Sequence, residues 1–315
     1  MYTRICSETY TMKDVIKPVE KSLLKSELGS STLFVRSPHG GCEIHMVDNT
    51  TAPNVMLEIG RVRELAFRKD GGGTGMEADL DHFDLDPSYG FKQLVAWDPE
   101  NAVVLGGYRF VLGRDCRFGA DGQPLIPSAH LFTYGEKFLK EEFPETIELS
   151  RSYISSEFQV TGADAAKRNI FILDALFRGV GALTPEFGTK YYLGKVTVYP
   201  DYPKQALGLL MAFFRKRYHE EPGQTAIAKN QMVIDVDESV FNGEDFNADY
   251  RILKASLKEL GTRIPPIVNS YMRLFPDMRY FGGGINDEFG NVIELGLLAS
   301  TEGKTDNRFI EAREK

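Results

Sequence analysis

Apolar residues recur in two periods along this chain. In PNVMLEIGRVRELAFRK (53–69), Val55, Ile59, Val62, Leu65 and Ala66 fall at three- and four-residue spacing, the mark of one apolar helix face. A shorter amphipathic pattern predicts a helix in DVIKPVEKSLLKSEL (14–28). Further helices are predicted over DAAKRNIFILDALFRGVGALT (164–184), over PKQALGLLMAFFRKRYH (203–219), which begins with a proline at an allowed first-turn position, and near 248–260. Alternating or continuous apolar runs predict strands at STLFVR (31–36), CEIHMVD (42–48), IELSRSYI (147–154), KYYLGKVTVY (190–199) and VIELGLLAS (292–300). FKQLVAW and AVVLGGYRFVLG flank DPEN (98–101), which has the turn chemistry of a hairpin.

Residues 114–144 read as irregular and 220–247 as polar, with IPPIVNSYMRLF (264–275) following later. The glycine run DGGGTG (70–75) reads as a loop. No Gly-Lys-Ser/Thr follows it and no apolar strand precedes it, so it lacks the context of a phosphate loop. Helices interleaved with strands in this order predict an α+β fold of mixed layers around one central sheet. No linker-like shift in composition divides the chain. One main domain over 53–300 is expected, after an N-terminal extension (1–52) and before a charged tail (301–315).

Composition narrows the function classes. The chain has 315 residues, 42% of them hydrophobic, enough to bury a large core. The formal charge of -8 argues against non-specific nucleic-acid binding. Cys6, Cys42 and Cys116 are odd in number and far apart, which argues for a reducing compartment and against a thiolate zinc site. The start MYTRICSETY lacks the pattern of a signal peptide, and the longest apolar run, ALGLLMAFF (206–214), is too short to span a bilayer. A cytoplasmic protein is expected.

Charges within apolar segments are the candidate chemistry. Glu148 and Arg151 interrupt IELSRSYI with Ser150 between them. Arg109 lies mid-strand, Arg63 lies four residues before Phe67 on a helix, and Asp81 and Asp84 sit in DLDHFDLD. Burying any of these charges alone costs several kcal/mol, so each needs a partner. In a regular strand Glu148 and Arg151 face opposite sides unless a bulge re-aims one. By spacing alone, an ion network pinning loop 70–90 to the sheet is the simpler reading, and a reaction beside the strand is the alternative.

The ordered set Arg63-x-x-x-Phe67, Asp81-x-Phe83-Asp84, GGYR ending at Arg109 and Glu148-Leu-Ser-Arg151 resembles the acyl-homoserine-lactone (autoinducer) synthases. It also resembles the ornithine-lipid N-acyltransferases, some of which carry the label haemolysin-related. IPPIVNSYMRLFPDMRYFGGGINDEFGNVIELGLLAS (264–300) and YYLGKVTVYPDYPKQA are similar to the aminolipid branch. GGGTG stands where the autoinducer synthases usually carry a tryptophan. The resemblance covers about residues 55–300 and implies a GNAT-like fold, with a mostly antiparallel central sheet flanked by helices.

It also implies an N-acyltransferase moving a 3-hydroxy fatty acyl group from a thioester to an amino acid of ornithine or glycine type, the first step of aminolipid synthesis. Glu148 is implied as the general base, with its charge balanced by Arg109 or Arg151. Asp81 and Asp84 are implied on the acceptor side with Phe67, and Arg63, Arg109 or Arg151 as the cation for an acceptor carboxylate. The donor arm is implied in a gap between strands 147–154 and 190–199, near Gln159, Gly162 and Ser150. Asp164 opposes the pyrophosphate of coenzyme A, which favours an acyl carrier protein as donor and leaves acyl-coenzyme A as the lesser choice. Lys167, Arg168, Lys190, Arg215, Lys216 and Arg217 are candidates for the basic patch such a partner needs, with solvated helix faces as the simpler reading.

No resident cofactor or metal is expected. HExxH, Gly-x-Ser-x-Gly, His-x4-Asp and a calcium-loop spacing are all absent. His82 is a second candidate base, with a surface-loop histidine the simpler reading. Two other readings stay open: an autoinducer-type synthase, and a non-catalytic, haemolysin-like membrane-active protein. An amphiphilic product implies transient contact with a membrane surface, for example at the inner membrane through FFRKRYH (213–219).

Overall fold

A computed structural model of the chain describes residues 12–29, 31–37, 41–157 and 163–301. The first half runs α1 (Lys21–Glu27), β1 (Leu33–Arg36), β2 (Glu43–Val47), α2 (Pro53–Lys69), α3 (His82–Leu85), β3 (Lys92–Asp98), β4 (Val103–Leu112), β5 (Phe132–Tyr134), α4 (Glu136–Glu141) and β6 (Thr146–Ile154). The second half runs α5 (Ala163–Phe187), β7 (Tyr191–Val198), α6 (Lys204–Arg217), β8 (Ala226–Ala228), α7 (Phe246–Glu259), α8 (Pro266–Leu274), β9 (Arg279–Asn286) and β10 (Val292–Ser300).

Eight strands form one sheet in the order β1-β2-β3-β4-β6-β7-β10-β9, and β5 and β8 form a separate pair. Neighbours in the large sheet are antiparallel except β6 and β7, which are parallel. This is the mixed, mostly antiparallel α+β layer fold expected. β1 and β2, from the stretch expected as an extension, form one edge of the sheet.

Each face of the sheet is covered. On one side α5, α6, α7 and α8 pack Leu176, Leu183, Phe213, Phe214, Leu253 and Val268 against Leu94, Phe110, Val196 and Leu295. On the other, α2 lays Val55, Ile59, Val62, Ala66 and Phe67 against Val95, Trp97, Val104 and Tyr153. Each large side chain buried this way stabilises by about 1.5–3 kcal/mol. Beyond the end of α2, Phe132, Tyr134, Phe138 and Phe143 pack over Val111, Leu193 and Leu298.

Three local departures have physical causes. The helix expected over 14–28 starts only at Lys21, because Pro18 cannot sit in a helix interior. The stretch 114–144 holds β5 and α4. β9 went unpredicted because three glycines interrupt its apolar pattern. Gly283 is there for clearance, since a Cβ would meet Leu295 at 2.7 Å, and Gly282 holds a positive φ of 109° that a side chain would strain. The DGGGTG loop is pinned by buried Glu64, which accepts from Thr74 N at 3.0 Å, Thr74 Oγ1 at 2.7 Å and Gly75 N at 2.7 Å.

Candidate active site

The parallel ladder between β6 and β7 runs only from Thr146–Tyr191 to Leu149–Gly194. Past that pair the two strands separate, and backbone groups of β6 beyond Leu149 have no ladder partner on β7. A cavity of about 330 Å³ occupies this opening. On the α8 side its walls are apolar: Leu149, Leu173, Ile267, Tyr271, Phe275 and Met278. On the α2 side they are polar or aromatic: Phe67, Asp70, Ser150, Arg151, Lys195, Thr197, Phe289 and Glu294. The opening therefore joins a greasy compartment to a charged one through the sheet.

A bulge in β6 builds the charged wall. Gly107 pairs with Tyr153 and Arg109 with Ser150, so Tyr108 alone opposes both Arg151 and Ser152. Arg151 takes up the extra residue with a left-handed φ of 50°, a conformation that costs a non-glycine residue about 1–2 kcal/mol. The bulge turns Arg151 onto the same face as Glu148 and Ser150.

Arg151 Nε then lies 3.0 Å from Asp79 Oδ2, and its guanidinium sits 4.7 Å over the Phe289 ring. Phe289 in turn meets Phe67 edge-on at 5.0 Å.

Beneath this wall lies a buried ion network. Arg63 forks onto Asp84 at 3.2 and 2.7 Å and also pairs with Asp79 at 3.1 Å. Arg109 Nη1 reaches Asp81 at 2.7 Å and Asp84 at 3.1 Å, while its Nε donates to Ser150 Oγ at 3.2 Å. Gln93, directly opposite Arg109 on β3, donates to Asp84 at 2.8 Å. The ring faces of Phe83 and Phe91 also lie near the Arg109 guanidinium, at 5.5 and 5.3 Å.

Asp81 and Asp84 cap α3 reciprocally, which ties this short helix to the cluster. Burial alone pulls the Asp84 carboxyl up, but Arg63 and then Arg109 outweigh it and hold it far below the usual range. Asp84 is thus fixed as a carboxylate.

Glu148 sits apart from this network. It is 1% exposed, and its Oε1 accepts from Ser128 N at 3.0 Å and Ser128 Oγ at 2.5 Å. Ser128 Oγ in turn accepts from Tyr134 OH at 2.6 Å. Glu148 Oε2 has no hydrogen-bond partner among the described residues. Burial raises its affinity for a proton, offset in part by Ser128, Lys195 and Arg109.

Of the residues marked in the sequence, Phe67, Ser150 and Arg151 line the cavity. Arg63, Arg109 and Asp84 lie behind it and spend their charges on one another. Asp81 is partly exposed at the edge of the cluster. Glu148 lies next to the last rungs of the ladder without being part of the cavity wall. Gln159 and Gly162 lie outside the described residues, as do the side chains of Asp164, Lys167 and Arg168. His82 is exposed, and its ring lies tilted against Phe83 with centroids 3.9 Å apart.

Among the expected basic patch, Lys190 stands at the closed end of β6 and β7, paired with Glu145, and Arg215 pairs with Glu238. Asp79, Gln93, Lys195 and Glu294 were missed. Lys195 and Glu294 carried the same signal as Glu148, a charge in an apolar strand. Asp79 was hidden among the other acids of DLDHFDLD.

Among the described residues no helix is long and apolar enough to cross a membrane, and no cluster of three His, Cys, Asp or Glu is placed to hold a metal.

A family model described as Acetyltransferase (GNAT) domain matches residues 62–166. A Bacteroides thetaiotaomicron protein named glycine N(alpha)-acyltransferase is 41% identical over 295 residues, covering 92% of this chain and 87% of its own. A protein of the same name from Phocaeicola vulgatus is 41% identical over 294 residues, covering 91% and 88%. The solved structure of FeeM, an N-acyl amino acid synthase from uncultured soil microbes, superposes with a TM-score of 0.37 at 11% identity, over 82% of this chain and 90% of that one.

Proposed function

The chain belongs to the GNAT-like N-acyltransferases, in the family of the two glycine N(alpha)-acyltransferases, and on that premise we propose that it acylates the amino group of glycine. The chain is an acyltransferase acting on an amino acid. The proposal adds a long-chain 3-hydroxyacyl thioester on an acyl carrier protein as donor, and an N-acylglycine that enters aminolipid synthesis as product.

The observation that carries this reading is the cavity at the opened strands, apolar toward α8 and charged toward α2. A fatty acyl chain fits the first compartment and a zwitterionic amino acid the second, which brings thioester and amine together where the strands part. Freed backbone groups of β6 there can polarise the thioester carbonyl.

The amine nitrogen bonds to the carbonyl carbon, the carbon–sulfur bond breaks and the thiol leaves. The ammonium proton must be lost for attack, and Glu148, set back from the cavity wall, takes it through a water on the unpartnered Oε2. Burial makes Glu148 a stronger base than an exposed carboxylate. Arg63, Arg109 and Asp84 are positioning residues that hold Ser150 and Arg151 in place. Closing a lactone, as an autoinducer-type synthase does, would require a nucleophilic side chain on the acceptor, and glycine has none.

The test is product identification by mass spectrometry with 3-hydroxyacyl carrier protein, against glycine, serine and ornithine, and with acyl-coenzyme A as the competing donor. N-acylglycine from the carrier-protein donor is expected. Preference for ornithine or for acyl-coenzyme A would overturn the corresponding part.

A further inference from the structure

Lys195 lies on β7 one residue past the last rung that joins it to β6, where the two strands begin to part. Its side chain is 10% exposed, yet it forms part of the cavity wall. Opposite it on β10 stands Gly296, where a Cβ would meet the Phe281 ring at 2.1 Å, so no side chain from that position competes for the space.

Nζ is 2.5 Å from Glu294 Oε2. The carboxylate of Glu294, 7% exposed, is taken up further by Thr197 Oγ1 at 3.3 Å and Asn286 Nδ2 at 3.1 Å. An ammonium has three N–H donors, and Glu294 is the one partner of Lys195 among the described residues. Two donors therefore remain at the cavity wall.

The three arginines are placed differently. Arg63 and Arg109 have no exposed surface, and Arg151 is held by Asp79 and the Phe289 ring. Of the two cations in the cavity wall, Arg151 is engaged by both a carboxylate and a ring, whereas Lys195 is engaged by the one carboxylate and stands on the β7 side of the opening.

We infer that Lys195, oriented by Glu294, binds the carboxylate of the amino-acid acceptor. This rests on the N-acyltransferase reading and names how the acceptor is recognised. Glu148 pairs with Leu193 across the ladder, two residues before Lys195 on the same strand face. The base for an ammonium and the cation for a carboxylate thus stand on adjacent strands and on one face, two residues out of register at the place where the strands part. An α-amino acid carries both charged groups on one carbon, so an acceptor in the opening presents its ammonium and its carboxylate to these two strands together. Burial strengthens the pairing and disfavours an amine that leaves the lysine donors unmet.

The test compares glycine with glycinamide as acceptors for the wild type and for Lys195→Met, Lys195→Arg and the double variant Lys195→Met/Glu294→Gln. The double variant leaves no lone buried charge, so it keeps the question answerable if the single variant does not fold. The wild type is expected to prefer glycine. The ratio of kcat/KM for glycine over glycinamide should fall about tenfold to a hundredfold in Lys195→Met and in the double variant, mainly through KM for glycine, with partial recovery in Lys195→Arg.

A loss equal for both acceptors and confined to kcat, or a change in KM for the acyl donor alone, would overturn the assignment by placing Lys195 at the thioester. Equal wild-type use of glycine and glycinamide would overturn it while leaving acyl transfer intact. Absence of thiol release with every amine would overturn both readings.

Discussion

Arg151 Nε lies 3.0 Å from Asp79 Oδ2, and Asp79 is shared with Arg63 at 3.1 Å. The contact spans 72 residues of sequence and depends on the left-handed backbone of Arg151. One carboxylate therefore couples the cavity wall to the buried network behind it.

Removing that charge should be costly. Asp79→Asn leaves Arg63, fully buried, with Asp84 as its remaining carboxylate, and frees Arg151 from its anchor. A loss of about 3 kcal/mol in unfolding free energy is expected from chemical denaturation. A change below about 0.5 kcal/mol would contradict the account of the network.

The acid response of stability should carry opposite contributions from Asp84 and Glu148. The Asp84 carboxyl is depressed below its ordinary 3.8, so its contribution is present above that pH and lost as pH falls through the lower folded value. Glu148 is raised above its ordinary 4.5, so burying it costs nothing below that pH and increasingly more as pH rises through the folded value. Thermal melts across pH should show Asp84→Asn with lower neutral stability and a flatter acid decline. Glu148→Gln should hold more of its stability as pH rises.

Ser128 should set the basicity of Glu148. Its N–H and hydroxyl both donate to Oε1 and so favour the ionised carboxylate. Ser128→Ala removes the hydroxyl, and the acid limb of the kcat/KM profile should move to higher pH. An unmoved limb would separate Glu148 from the titrating group.

Gly194 offers a way to gauge the apolar compartment. A Cβ there meets only Leu149 O, at 3.4 Å, an ordinary contact, and the residue forms part of the cavity wall. Gly194→Leu should keep the fold and shift donor preference to shorter chains. About tenfold weaker kcat/KM for a long donor than for a short one is the result to look for.

Much of the fold was legible because periodicity reports which face of an element is buried. α2, the β3–β4 hairpin, β6, β7 and β10 all read from that pattern. β9 did not, since its Gly283 answers to the packing of Leu295 on the neighbouring strand β10. At the site, charges in apolar strands marked Glu148, Arg151 and Arg109. The bulge that turns Arg151 inward depends on pairing with Tyr108, and strand periodicity cannot show it. The roles of Arg63 and Asp84 behind the wall emerged only once their fork was seen to be closed.

The central claim is that an amine attacks a thioester at the opened strands with Glu148 as base. Thiol release from 3-hydroxyacyl carrier protein with glycine, followed across pH for the wild type and Glu148→Gln, tests it most directly. The account predicts a wild-type acid limb above the usual carboxylate range, and in folded Glu148→Gln a loss of about a hundredfold or more in kcat together with that limb. A folded Glu148→Gln that turns over at the wild-type rate with an unchanged pH profile would contradict it.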